Sequence, residues 1–207
     1  MPRTVDHGER RFMILDAFVS LAVREGLHAV SMRSVAAEAG ISLRLVQYYF
    51  KTKSGLMQAG LTMLEKMSNE RWANHISTFP ESSTAAETLK ALFVEALPTD
   101  SRQRDFHLLW MSYAVLGMTD ATIPNHAIIE GPKRLLQRVT ALLTQGQAAG
   151  EFDSKFDADD EAAILLGLIH GLGTSVLIGL QSGATALELL SLHLDRLTKG
   201  KDQPMES

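Results

Sequence analysis

Ser31-Met-Arg-Ser-Val-Ala-Ala-Glu-Ala-Gly-Ile-Ser-Leu-Arg-Leu-Val-Gln-Tyr-Tyr-Phe-Lys-Thr-Lys-Ser-Gly-Leu56 spells two short helices around a tight turn. Met32, Val35, Ala36 and Ala39 recur at helical spacing behind Ser31, whose hydroxyl can accept from the free N–H groups of a first turn. Gly40 can adopt the left-handed backbone that ends a helix, and Ser42 can cap the next one while Ile41 reaches forward to Val46. In the second helix Val46, Tyr49 and Phe50 are expected to face inward, and Leu43, Arg44, Gln47 and Tyr48 outward.

The outward set has the chemistry of a duplex reader. Arg bonds bidentately to guanine, Gln to adenine, and an apolar side chain such as Leu43 or Leu45 can touch a thymine methyl. Tyr48, Lys51 and Lys53, beside a helix start near Ser54, are the kinds of group that hold phosphate oxygens and set register. The expected DNA-contacting set is Arg33, Ser42, Leu43, Arg44, Gln47, Tyr48, Lys51 and Lys53.

On these residues the segment resembles the DNA-binding domain of TetR-family transcriptional regulators. The likeness is carried by Ala-x-x-Ala-Gly-Ile-Ser from Ala36 to Ser42 and Tyr-Tyr-Phe-x-x-Lys-x-x-Leu from Tyr48 to Leu56. Arg44 stands where the family often has Gly, and Gln47 where it often has Tyr, which implies a base preference of this chain's own. The resemblance implies a homodimer on a palindromic operator in double-stranded DNA, a small-molecule effector, and a repressor that the effector releases. An activator or an architectural DNA binder without a ligand is the alternative.

Charge is unevenly distributed along the 207 residues. Residues 1–55 hold eight Lys or Arg against five Asp or Glu, a balance of +3, while the rest hold 12 against 19, so that the whole chain carries −4. A basic head on an acidic body focuses attraction for a polyanion at one end, where Arg3, Arg10, Arg11, Arg33, Arg44, Lys51 and Lys53 lie. A hydrophobic content of 45% suffices for a buried core, and the absence of cysteine excludes a disulfide framework and fits a cytoplasmic protein. No charged-then-apolar leader opens the sequence, so no secretory signal is expected.

Every long segment has helical periodicity, giving an all-α expectation of about nine helices. A three-helix helix-turn-helix DNA-binding domain is expected over 1–53. A helical-bundle ligand-binding and dimerisation domain is expected over 54–207, with a linking helix at 54–78. Phe12, Leu15, Phe18, Val19, Ala22 and Val23 form the face of a first helix ended by Gly26. Thr84 and Glu87 stand at capping-box spacing ahead of Leu89, Leu92 and Phe93, and Asp100 or Ser101 can start the following helix. Ile123-Pro124 should end that one, and Gly131-Pro132 should break or kink the next. Gly150-Glu151-Phe152, the acidic run after Asp157 and the glycine-bearing helix beyond it weakly resemble BetI-like regulatory domains.

Ile164 to Leu180 is nearly all apolar and must be covered on most sides; it is short for a bilayer, holds His170 and has no basic flank, so no membrane span is expected. Gly167 and Gly171 would admit a second helix at close range. The closing helix, with Thr185 and Glu188 as a cap and Gly200 as its end, carries Leu187, Leu190, Leu194 and Leu197 as a seam. These six positions are the expected dimer interface.

For an effector, Phe93, His107, Trp110, Met111, Tyr113 and Met118, with His126 beyond them, combine apolar area with a few polar groups as small-molecule pockets do. The seven histidines include no His-Glu-x-x-His pair, no Gly-x-Ser-x-Gly turn occurs, and the acidic run before Ile164 suits a helix start better than a calcium loop. Neither an enzyme, a cofactor nor a metal site is expected.

Overall fold

The computed structural model describes residues 6–80, 82–119 and 125–198, with 125–128 in backbone only. The expectations for Arg3, Ile123-Pro124 and Gly200, and for the His126 side chain, lie outside the described residues. Among those described, the protein is all-α. The helices are α1 (His7–Glu25), α2 (Met32–Glu38), α3 (Leu43–Phe50), α4 (Lys53–Ile76), α5 (Ala85–Ala96), α6 (Ser101–Thr119), α7 (Asn125–Ala148), α8 (Ala158–Leu177) and α9 (Gly183–Leu197). The β contribution among the described residues is an isolated bridge between Phe152 and Thr198.

The chain gathers into two compact units that divide differently from a cut at residue 53. The first takes residues 1–67 and 105–128, the second 68–104 and 129–207, so α4, α6 and α7 each contribute to both. In the first unit Ile14, Phe18 and Leu21 of α1 pack with Val35, Val46, Phe50, Leu56 and Met57, and with Leu109 and Tyr113 of α6. Asp6 caps α1 by accepting from the Gly8 and Glu9 amides, and Gly26 ends it with a φ of +83°. Gly60 sits against Phe18, where a Cβ would overlap the ring. Gly60→Ala is therefore expected to cost about 1–3 kcal/mol, read as a lowered urea midpoint.

The second unit is built on Leu89, Leu92, Phe93, Val139, Leu143, Phe152, Leu165, Ile169, Leu190 and Leu194. Thr84 and Glu87 form the expected capping box at the start of α5. A second cap arrives from 66 residues away: the Glu151 carboxylate accepts from the Ala85 and Ala86 amides, each at 3.1 Å. That gives the Gly150-Glu151-Phe152 run a physical meaning. Gly150 leaves α7 with a φ of +76°, Glu151 satisfies two orphan N–H groups, and Phe152 is buried against the bare backbone of Gly146. Glu151→Ala leaves those amides without this partner and should cost about 1–2 kcal/mol in the same urea measurement.

Three helix boundaries are set by particular residues. The helix expected to start near Ser54 begins at Lys53, and Thr52 caps it by accepting from the Gly55 amide. Pro132 does not break α7, which runs through it to Ala148. Proline removes a single hydrogen bond from a 24-residue helix, at about 3 kcal/mol, and Val139 and Leu143 hold the downstream part in the core. The cap of α9 is Ser182, accepting from Thr185, in place of Thr185 itself. Starting the helix at Gly183 suits the site, where a Cβ would lie 2.9 Å from a methyl of Thr99.

In α8, Asp157 accepts from the Asp159 and Asp160 amides, and Glu161 turns inward to bond His193 on α9. This helix is long and apolar enough to cross a membrane by composition, yet Ala162, Leu165 and Ile169 are spent on the second core.

Candidate nucleic-acid interface

The helix-turn-helix is assembled by local bonds before any long-range contact is counted. Ser31 and Ser34 cap each other reciprocally at the start of α2. Gly40 takes a φ of +65°, the Ile41 amide returns to the Ala36 carbonyl at 2.9 Å, and Ser42 accepts from Leu45 to open α3. Arg24, at the end of α1, grips the Glu38 carboxylate of α2 with two nitrogens at 3.0 and 2.9 Å. Hydrogen bonds to Glu38 and Glu25 hold the Arg24 guanidinium above its ordinary value, and Arg24 holds the Glu38 carboxyl below the usual carboxylate range. Arg24 is thus engaged in bracing α2.

On α3, Val46 and Phe50 are buried while Arg44, Gln47 and Tyr48 are exposed, Tyr48 at 58%. Arg33, Ser42, Lys51 and Lys53 are exposed as well. Leu43 differs from its expected outward direction, for it is half-buried and leans on the first core, as Ile41 and Tyr49 do. Leu43 is the first residue of α3, directly after the turn, and packs against the same core as Ile41.

Past the end of α3, Lys51 adopts a φ of +58°, a left-handed conformation uncommon outside glycine. It swings the chain between α3 and α4 and leaves the ammonium 5.3 Å from the centroid of the Tyr48 ring. Tyr48 stands edge-on to Tyr49 at 5.2 Å, and the Tyr49 hydroxyl lies 2.9 Å from His7 Nδ1. Arg11 stacks over Phe50 at 4.7 Å. The approach of His7 and Arg11 to α3 has no local signal, because about 40 residues intervene in each case.

The candidates for an effector fall in different surroundings. Phe93 is in the core of the second unit. On α6, Tyr113 is buried in the first core, Trp110 is half-buried against it, His107 is buried, Met111 is half-buried and Met118 is 77% exposed. Among the described residues the Tyr113 hydroxyl has no hydrogen-bond partner, and burial pushes its phenol above the usual value. The expected interface residues also separate. Gly167 and Gly171 are open, with nothing among the described residues near a would-be Cβ, but Leu190 and Leu194 are fully buried and Leu187 and Leu197 pack on the same core. The seam on α9 therefore closes the protomer's own core. Its solvent side presents Leu189 and Leu192 instead, as α8 presents Ile164.

Residues 14–59 match the family described as bacterial regulatory proteins of the tetR family, and residues 85–199 match the C-terminal domain of BetI-type transcriptional repressors. The chain belongs to the TetR family of transcriptional regulators. It is 24% identical over 185 residues to the regulator PksA of Bacillus subtilis, covering 86% of this chain and 83% of that one. It is 27% identical to the regulator BetI of Klebsiella pneumoniae over 92 residues, about half of each chain. A transcriptional regulator from Saccharomonospora viridis, solved with choline, superposes with a TM-score of 0.83 at 27% identity, covering 93% of this chain and 98% of the other. A TetR-family regulator from a Rhodococcus species gives 0.80 at 21%, a likeness of fold, with 93% and 100% covered. The TetR-family chain thus has a helix-turn-helix head for DNA and a C-terminal domain of a ligand-binding class.

Proposed function

We propose that this TetR-family regulator acts as a cytoplasmic homodimeric repressor that holds a palindromic operator until a small molecule binds it. The observation that carries the reading is the outward display of Arg44, Gln47 and Tyr48 on a helix whose other side, Val46 and Phe50, is buried. Arg44 and Gln47 read base edges in the major groove; Tyr48, Lys51, Lys53 and Arg33 take phosphates. Two copies meet through the open side of α8 and α9, with Ile164, Gly167, Gly171, Leu189 and Leu192 at its centre. Small residues there support close helix approach, and the apolar ones need cover.

The effector side of the proposal draws on α6. A buried hydroxyl without a partner carries a desolvation cost, and a ligand acceptor or water would relieve it at Tyr113. Choline in the Saccharomonospora viridis relative makes quaternary ammonium compounds the first to try, since aromatic rings attract such cations and α6 carries Trp110 and Tyr113. Release follows if the ligand binds better to a dimer whose reading helices are misspaced.

The test titrates choline and related cations into a complex of the protein with a labelled operator selected from genomic fragments. Loss of DNA affinity on saturation supports the repressor reading. A compound that binds the protein and leaves DNA affinity unchanged removes the coupling.

A further inference from the structure

The phosphate-facing end of α3 hangs on a bond to the first residue of α1. His7 Nδ1 and the Tyr49 hydroxyl are 2.9 Å apart, with ring centroids at 5.9 Å. Tyr49 supports Tyr48 edge-on, and Tyr48 carries the Lys51 ammonium over its face. The two groups assigned to phosphate, Tyr48 and Lys51, are thereby backed by a tyrosine whose hydroxyl is oriented by an exposed histidine.

We propose that His7 is a proton-dependent positioning residue for the DNA contact, whose protonation reverses the His7–Tyr49 hydrogen bond and tightens the grip on the duplex. The proposal rests on the DNA-binding reading above. With a neutral imidazole whose Nδ1 is unprotonated, the Tyr49 O–H donates to that nitrogen and its proton is used internally. With imidazolium, Nδ1–H donates to the Tyr49 oxygen, and the hydroxyl proton must turn away, where a phosphate oxygen can accept it. The same step adds a positive charge to the edge that carries Lys51 and Lys53.

The charged and titratable groups around the pair pull in both directions. On α1 these are Asp6, Glu9, Arg10 and Arg11, and on the α3 side Tyr48 and Lys51. Asp6 is itself bonded to the Gly8 and Glu9 amides, which keeps its carboxylate on the helix end. An arriving phosphate adds negative charge beside this group, so binding DNA favours proton uptake. The sign follows: affinity is greatest with His7 charged and falls as pH rises. Histidine is the side chain suited to such a change near neutrality.

The experiment measures the dissociation constant of the full-length protein for a duplex carrying its selected site, at about pH 6 and about pH 8, over a range of salt. The wild type is expected to bind about tenfold tighter at the lower pH, with a salt slope steeper by about one per protomer. His7→Gln keeps a hydrogen-bonding group that does not titrate, and Tyr49→Phe removes the hydroxyl; both should flatten the pH profile while binding persists. Tight binding by the wild type with no pH effect, or an undiminished effect in both variants, overturns the role of His7 alone. Failure to retain the duplex at either pH overturns the DNA-binding reading and this proposal with it.

Discussion

Gln47→Ala and Arg44→Ala are each expected to weaken operator binding by about 1–3 kcal/mol and to relax the preference at one base pair per half-site. The physical reason is that each side chain is exposed on α3 and presents two hydrogen-bonding atoms in a plane, which can match one base edge and mismatch the others. Truncation removes the match and leaves the wrong bases no worse than before, so the gap between sequences narrows. Lys53→Ala should behave differently. An exposed ammonium at the start of α4 would neutralise a phosphate whatever the base, so its loss should weaken all duplexes alike and reduce the salt slope by about one. Binding of each variant to the selected site and to single-base variants of it, over a salt series, checks both. Equal losses on every sequence for Gln47→Ala and Arg44→Ala would take these residues out of base readout.

Gly171→Leu should separate assembly from folding. A Cβ at Gly171 meets nothing within 4 Å among the described residues, and glycine inside a helix costs about 0.5–1 kcal/mol relative to alanine. The protomer should therefore fold as well as the wild type or slightly better. If a second copy packs on Gly167 and Gly171, however, the larger side chain holds the two α8 helices apart. Light scattering should then report a monomer at concentrations where the wild type is a dimer. Operator affinity should fall by about 100-fold or more, because the second half-site is no longer delivered at high effective concentration. Leu192→Glu, on the half-exposed side of α9, should have the same consequence by burying a charge in the contact. A dimer that survives both substitutions would place the interface elsewhere.

Much of this fold was legible because its decisive signals are local. Ser31, Gly40, Ser42, Thr84 and Asp157 each act within a turn or so of their own position, and each stands where its residue type predicts. The exposed set on α3 followed from the same short-range logic, with Leu43 the exception because it packs against the core. The seam on α9 is read less directly. Leu190 and Leu194 have the spacing of an interface and the spacing of a core alike, and only the packing of α9 against α8 and α5 decides between them. Periodicity reports that a face is covered and not by what. Glu151 capping α5, and His7 bonding Tyr49, lay beyond the sequence for a plainer reason: each joins residues tens of positions apart, and a lone carboxylate or imidazole carries no mark of its distant partner.

The decisive measurement is a hydroxyl-radical footprint of the purified protein on its selected site, read on both strands at stated salt. Two protected patches related by a twofold axis, with centres about 34–36 Å apart or a multiple of that, are expected from paired copies of α3 in successive major grooves. A single patch without symmetry, or protection spread evenly along the duplex, would contradict it.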